Sequence, residues 1–151
     1  MEAMKDEREI TKRLEHACCF KEEDPSQYYE IVGKDSDDGL GDTVYCCRRK
    51  IDGLKFTLKS VNPQNQNARQ NQNIREMAEQ EIGVMRIIES DHIVKCIEVF
   101  DYKDRIMAVF ERMEGGQLTP MLETEQGGNY SEEFCKYSLY KTLQAMLVLH
   151  R

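Results

Sequence analysis

The sequence predicts an α+β fold built on an antiparallel sheet. Five short segments are rich in β-branched and aromatic residues, and short polar turns join two pairs of them. One segment with helical spacing lies between the third and fourth strands, and further helices follow the fifth. This order is typical of α+β proteins rather than of alternating βα units. A chain of 151 residues can bury one moderate core.

The composition argues against some classes of binding partner. Lys and Arg number 21 and Asp and Glu 28, which gives a net charge of −7. This balance argues against a general binder of nucleic acid or of anionic membranes, because both need a basic surface. No apolar run approaches the ~18 residues that span a bilayer. Residues 1–9 are charged and lack a following apolar segment, so we expect no secretory signal and a cytoplasmic location.

The six cysteines include two adjacent pairs, and none has C-x-x-C spacing. This pattern favours reduced thiols over a zinc site or a disulfide framework. The sequence therefore predicts no metal site from its cysteines.

The first part of the chain predicts a charged extension followed by three strands. Residues 1–24 are dense in charge, with a modest amphipathic helix that Pro25 ends. The apolar positions of this helix are Ile10, Leu14, Ala17 and Cys18. Strands are predicted over residues 28–32, 44–49 and 54–61, with a Gly/Asp turn over residues 34–42. Asp52-Gly53 predicts a tight hairpin between the second and third strands.

The second part predicts a helix, a hairpin and further helices. Nine of the twelve residues 62–73 are Asn or Gln, which indicates a mobile loop. The clearest helix is predicted over residues 74–90, with Ile74, Ala78, Met85 and Ile88 on its apolar stripe. The remaining elements are strands over 93–100 and 105–111 with a turn over 101–104, a short helix over 118–123, a loop over 125–130, and a long helix that Ser131 caps.

Two charged residues lie where their chemistry needs an explanation. Glu81 falls in the middle of the apolar stripe of the helix, and a buried carboxylate is costly unless a cation pairs with it. A Lys on a packed strand is the best candidate partner. Lys59 shares a strand face with Thr57 and Val61, so it points either to solvent or into a site. On periodicity alone, a rotated helix with Glu81 in solvent remains open.

Glycine-rich turns let backbone amides approach phosphate oxygens. Gly39 and Gly41 lie in such a turn, but Asp37, Asp38 and Asp42 crowd it and would repel phosphate. A plain hairpin turn is the alternative.

Taken together, residues 28–151 resemble the N-terminal half of a eukaryotic protein kinase domain. The glycine-rich turn precedes Val44, and Phe56-Thr57-Leu58-Lys59 looks like the V-A-I-K strand of that family. The segment around Glu81 resembles the family's helix C, and residues 92–95 resemble the start of its fourth strand. Residues 109–118 resemble its fifth strand and hinge, and residues 131–150 its helix E. The stretch 115–119 is most like the Ste20/PAK type of Ser/Thr kinase.

The resemblance implies an N-lobe with a five-stranded antiparallel sheet and one helix C, then helices D and E of an incomplete C-lobe. It implies three regions: an extension over 1–27, the N-lobe and hinge over 28–114, and the start of the C-lobe over 115–151. It implies ATP as cofactor, with Lys59 on the phosphates and Glu81 paired to Lys59. Phe110 would be the gatekeeper. The implied ATP-binding residues are Gly39, Gly41, Val44, Thr57, Lys59, Glu81, Phe110, Glu111 and Met113.

The sequence departs from the family pattern in ways that affect activity. The family glycines would fall at positions 37, 39 and 42, and only Gly39 matches; Thr57 replaces the usual Ala. His150 follows residues 147–149 without a break, which places it at the end of helix E rather than in the catalytic loop. The catalytic loop, the DFG segment and the Mg²⁺ ligands would then lie outside this chain, so no catalytic or metal residue is assigned.

Two functions follow from the resemblance. The first is the ATP-binding half of an enzyme that transfers the γ-phosphate of ATP to Ser or Thr of a protein substrate. The alternative is a catalytically dead, kinase-derived module that binds another protein.

Overall fold

The computed structural model describes residues 20–37, 43–62, 68–88, 90–115 and 130–150. They fall into two compact units, one within residues 1–89 and 94–112 and the other within 90–93 and 113–151. The first unit contains β1 (Tyr29–Asp37), β2 (Thr43–Arg49), β3 (Lys55–Val61), α1 (Ala68–Ile87), β4 (Cys96–Tyr102) and β5 (Arg105–Glu111), and the second contains α2 (Glu132–Leu149).

The five strands form one antiparallel sheet in the order β1-β2-β3-β5-β4, which confirms the predicted sheet. The β2–β3 turn contains Gly53 at φ 73°, a left-handed conformation that glycine adopts without steric cost. The β4–β5 turn contains Lys103 and Asp104 at φ 50° and 61°, as a two-residue hairpin of the I′ type requires. Both hairpins were predicted from these polar turns.

The two faces of the sheet pack separately. On one face, Ala78 and Ile82 of α1 are buried against Val61, Ile106, Ala108 and Phe110. On the other face, Tyr29, Phe56, Leu58, Phe100 and Val109 form a second cluster. Because side chains alternate along a strand, β3 contributes to both clusters, and Thr57 and Lys59 lie on the same face as Val61, which packs against α1.

Two strand boundaries were predicted wrongly. β1 continues to Asp37, whereas a turn was expected from residue 34. It pairs with β2 as far as Asp37 opposite Thr43, and bulges near Val32 and Asp35 let the polar edge strand keep its pairing. β4 begins at Cys96 rather than at residue 93, and it extends to Tyr102. Lys95 lies outside the strand, although its N–H and C=O both bond to Glu111.

The bounds of α1, predicted as residues 74–90, were also wrong. α1 begins at Ala68, so residues 68–73 of the supposed Asn/Gln loop are helical. Gln and Arg are fair helix formers, and no Gly or Pro interrupts this stretch. The helix ends at Ile87, so Ile88 lies just beyond it.

The second unit contains the long helix that the sequence predicted. Ser131 caps α2, since its Oγ accepts a hydrogen bond from the N–H of Phe134 at 3.1 Å. Glu132 and Glu133 follow in the first turn, where the helix dipole favours negative charge. None of the residues of α2 is buried.

Several expectations lie outside the described residues. These are residues 1–19 of the helix predicted within 1–24, Gly39 and Gly41 in the β1–β2 turn, and the short helix over 118–123. The end of that N-terminal helix was predicted wrongly: residues 20–24 are not helical, Lys21 forms a β-bridge with Phe100, and Pro25 begins a short 3₁₀ helix instead of ending a helix. In the described ranges, no helix is long and apolar enough to cross a membrane. The described cysteines, at positions 46, 47, 96 and 135, are free thiols.

Candidate nucleotide-binding site

The central strand β3 places Thr57 and Lys59 on the sheet face that packs against α1. Lys59 lies opposite Val44 of β2 and Ala108 of β5, while Thr57 lies opposite Cys46 and Phe110. Strands on both sides fix the backbone of β3. The Lys59 side chain therefore leaves a rigid platform, and 27 % of it remains exposed.

Helix α1 brings Glu81 to this lysine. Lys59 Nζ donates to Glu81 Oε1 at 3.2 Å and to Oε2 at 3.4 Å. The adjacent Ile82 and the preceding turn's Ala78 are buried at 3 % and 6 % exposure, so they set the rotation of the helix. The predicted pairing of the two residues is thus present in the structure.

The carboxylate of Glu81 reaches solvent, which is the alternative that periodicity left open. Its side chain is 55 % exposed. Ala78 and Ile82 on the same helix pack against the core, while the long Glu81 side chain carries its carboxylate out to water, as amphipathic side chains do. Lys59 and Glu81 can therefore separate at modest energetic cost, because water replaces the partner of each charge.

A second ion pair fixes α1 to the sheet. Arg75 pairs with Asp101 of β4 and with Glu79 one turn further along the helix, the latter at 2.8 Å. The hydrogen bond to Asp101 is the main cause that raises the pKa of the Arg75 guanidinium. This contact helps to hold α1 so that Glu81 lies beside β3.

The other predicted site residues differ in their burial and in the contacts that they make. Val44 is half-buried opposite Lys59. Phe110 is only 7 % exposed and belongs to the core beneath α1. Glu111 directs its carboxylate back to the N–H of Lys95, at 2.8 Å. Met113 belongs to the second unit and is 60 % exposed. Gly39 and Gly41 lie outside the described residues.

Arg112 is also part of this face, although no sequence pattern indicated it. Its guanidinium forms an ion pair with Asp35 of β1 and donates to Thr57 Oγ1 at 3.4 Å. Because Thr57 and Lys59 share a face of β3, the guanidinium and the ammonium lie on the same side of the sheet. A carboxylate accompanies each cation, which makes the face a set of paired charges. Only the position of Arg112 directly after β5 could have suggested this contact.

This arrangement defines a class of protein. A five-stranded antiparallel sheet whose third strand supplies a lysine to the glutamate of the packed helix is the arrangement of a protein kinase N-lobe. The family model described as the protein kinase domain matches residues 32–151. The chain belongs to the protein kinase family.

Several characterised proteins resemble the chain. Serine/threonine-protein kinase cds1 of Schizosaccharomyces pombe is 33 % identical over 76 residues, which cover 50 % of this chain and 16 % of that protein. Serine/threonine-protein kinase pakC of Dictyostelium discoideum is 27 % identical over 129 residues, 85 % of this chain and 25 % of that protein. Serine/threonine-protein kinase H1 homolog of Pinctada fucata is 30 % identical over 76 residues, 50 % of this chain and 18 % of its own. The chain thus matches a quarter or less of each relative.

Proposed function

We propose that residues 32–151 form the ATP-binding half of a domain that transfers the γ-phosphate of ATP to Ser or Thr of a protein substrate. The ion pair of Lys59 with Glu81 is the observation that carries this proposal. Family members hold the α- and β-phosphates with this lysine and position it with this glutamate. The serine/threonine kinases among the relatives support the same acceptor residues.

In this proposal, different residues along the sheet face bind different parts of ATP. The Lys59 ammonium supplies the positive charge for the phosphates, and Glu81 keeps that ammonium at the mouth of the site when no phosphate is present. Thr57 and Val44 lie beside Lys59 and would contact the base and ribose. In the family the backbone of the hinge binds adenine, and residues 111–113 take that part in the proposal.

Protein kinases use ATP together with Mg²⁺. Within the described ranges, no three His, Cys, Asp or Glu side chains lie close enough to form a metal site. The proposal therefore assigns Mg²⁺ no ligand among these residues, and their part is to bind and orient the nucleotide.

Titration of the 151-residue chain with MgATP by calorimetry tests the proposal. We expect weak binding, since Asp37, Asp38 and Asp42 would repel phosphate. The Lys59→Met variant should bind about 10- to 100-fold more weakly, because hydrogen bonds to charged groups contribute about 1.5–3 kcal/mol.

The Lys55→Met variant is the matched control. Lys55 lies on the same face of β3, about 13 Å along the strand from Lys59, and its removal should leave ATP affinity unchanged. Equal losses in the two variants would contradict the assignment of Lys59.

The second candidate, a module that binds protein without nucleotide, rests on the same three aspartates around Gly39 and Gly41. It predicts that the wild-type chain gives no heat of binding at millimolar MgATP. That result would overturn the ATP-binding proposal for this chain and leave the second candidate.

A further inference from the structure

The base end of the nucleotide-binding face can be located from the register of β3. Lys59, which the proposed function places on the phosphates, lies two residues from Thr57, about 7 Å along the strand. Thr57 lies opposite Phe110, and the preceding residue, Phe56, lies opposite Glu111, where the hinge begins. A nucleotide with its phosphates at Lys59 and its base at the hinge therefore lies over Thr57.

The guanidinium of Arg112 occupies this space. Its Nη1 donates to Thr57 Oγ1 at 3.4 Å and pairs with the carboxylate of Asp35 in β1. Its Nη2 reaches the other carboxylate oxygen of Asp35 at 3.5 Å. The side chains of Arg112 and Asp35 are only 25 % and 34 % exposed, and all three residues belong to the first unit. The ion pair therefore lies against the sheet face rather than in open solvent.

An irregularity in β1 brings Asp35 to this face. Lys34 lies opposite Tyr45 and Ser36 lies opposite Val44, so Asp35 is an extra residue between two paired ones. A bulge of this kind re-aims a side chain. Two successive residues, Asp35 and Ser36, then share the side of the sheet on which Val44 lies.

The ion pair crosses β2. Neighbouring strands lie about 4.8 Å apart, so β1 and β3 are separated by about 10 Å with β2 between them. A contact that joins Asp35 of β1 to Thr57 of β3 through Arg112 therefore passes over β2. Cys46 is the β2 residue opposite Thr57, and its thiol is half-buried. The guanidinium accordingly lies close to this thiol on the same face.

We propose that the ion pair of Arg112 with Asp35 is a latch that closes the base end of the nucleotide-binding face, and that a nucleotide opens it on binding. This proposal rests on the proposed function, which assigns the base to the space over Thr57. The latch opens at small energetic cost, because both side chains are partly exposed and water replaces the partner of each charge. Only the open chain accepts the base, so the closed latch lowers the apparent affinity for nucleotide.

Calorimetric titration of a double-mutant cycle with MgATP tests the latch. The cycle comprises the wild type, Arg112→Gln, Asp35→Asn and the double variant. Each single variant should bind MgATP about 3- to 10-fold more tightly, the range that one ion pair and one hydrogen bond provide. The double variant should gain no more than either single variant, since each change opens the same latch.

The sign of the Arg112→Gln effect separates the latch from simple charge effects. Loss of a positive charge near the triphosphate weakens binding through Coulomb attraction alone, whereas loss of the latch strengthens it. Weaker binding by Arg112→Gln together with tighter binding by Asp35→Asn would show that the two charges act only through the phosphates. That result would overturn the proposal.

Asp52→Asn is the matched control. Asp52 forms an ion pair with Arg49 at the β2–β3 turn, and these side chains are 30 % (Arg49) and 33 % (Asp52) exposed, close to the values of the latch. The Asn side chain can still accept the hydrogen bond that Asp52 takes from the N–H of Leu54. Asp52→Asn should leave the affinity for MgATP unchanged. A gain equal to that of Asp35→Asn would assign the effect to net charge and overturn the latch.

Alkylation of Cys46 measures the latch without nucleotide. Iodoacetamide followed by peptide mass spectrometry should modify Cys46 about 2- to 5-fold faster in Arg112→Gln and in Asp35→Asn than in the wild type, the factor expected when an exposed ion pair opens. The adjacent Cys47 is fully buried and should stay protected in every variant. An unchanged rate at Cys46 in both variants would show that the ion pair does not cover the face, and the proposal would fail.

Failure of the latch and failure of the proposed function give different results. If Lys59→Met weakens MgATP binding and Arg112→Gln weakens it or leaves it unchanged, the chain binds nucleotide and the latch is overturned. If no chain of the cycle gives a heat of binding at millimolar MgATP, the proposed function fails. The latch then has no nucleotide to admit and is overturned as well, even where Cys46 becomes more reactive.

Discussion

Removal of the Lys59–Glu81 ion pair should barely change the stability of the fold. The charges are 3.2 Å apart, which gives an attraction of about 1 kcal/mol in a water-like medium. Glu81 is 55 % exposed, so solvent screens the pair and side-chain ordering offsets part of the gain. We therefore expect a coupling free energy of about 0.5 kcal/mol.

A double-mutant cycle measures this coupling. Urea unfolding of the wild type, Lys59→Met, Glu81→Gln and the double variant gives the four free energies of unfolding that the cycle requires. The coupling should fall as salt is added, because ions screen exposed pairs. The fully exposed pair of Lys136 with Glu132 is a reference that should give no more than the Lys59–Glu81 pair.

The packed side chains of α1 provide the contrast. Ile82 is 3 % exposed, and Ile82→Ala should lower the free energy of unfolding by about 2–5 kcal/mol. A coupling above about 2 kcal/mol that salt does not reduce would refute this reasoning, because only a desolvated pair behaves in that way. The expected small value indicates that the pair positions the ammonium, while the apolar contacts hold the helix.

Three further predictions concern the remainder of the first unit and the thiols. Phe100 is fully buried, so Phe100→Ala should lower the free energy of unfolding by about 3–5 kcal/mol. Ile51→Ala, at a residue 90 % exposed, should have almost no effect. Urea unfolding compares the two variants, and similar losses of stability would contradict the packing described. Gly53→Ala should lower the free energy of unfolding by about 1–2 kcal/mol because φ is 73° there. Gly33→Ala should be tolerated, since an added Cβ meets nothing within 4 Å and φ is not positive. Equal shifts in the melting temperatures of the two variants would count against the turn geometry. Burial raises the pKa of Cys47 and of Cys96 to about 11, so at pH 8 iodoacetamide should modify the exposed Cys135 before either of these two. Mass spectrometry that finds these three thiols equally reactive would refute the assigned burial.

The sheet and its hairpins could be predicted because local signals agree with the tertiary structure. Asp52-Gly53 supplies the left-handed glycine that the β2–β3 turn needs, and apolar residues dominate β5 throughout. The pairing of Lys59 with Glu81 was predictable from the family resemblance. Periodicity alone did not require it, since it left a solvent-facing Glu81 open and the side chain is 55 % exposed.

The features that were predicted wrongly or missed depend on contacts between residues far apart in the sequence, which no local sequence pattern indicates. The Asn/Gln composition of residues 68–73 indicated a loop, yet helix formation needs only the absence of breakers and the packed turns that follow. The pair of Arg112 with Asp35 joins residues 77 positions apart, and the bulge near Asp35 alters the register. Residues 24–26 lie beside the sheet, where Lys50 Nζ donates to the Ser26 carbonyl at 2.6 Å, and this placement cannot be read from the sequence.

Covalent labelling by an acyl-phosphate derivative of ATP tests the central claim most directly. This reagent transfers its acyl group to a lysine beside the bound phosphates, and peptide mass spectrometry identifies the modified residue. The account predicts that Lys59 is the principal site, that excess ATP protects it, and that Glu81→Gln reduces its labelling. Modification of Lys50 or Lys55 to the same extent, without protection by ATP, would contradict the account.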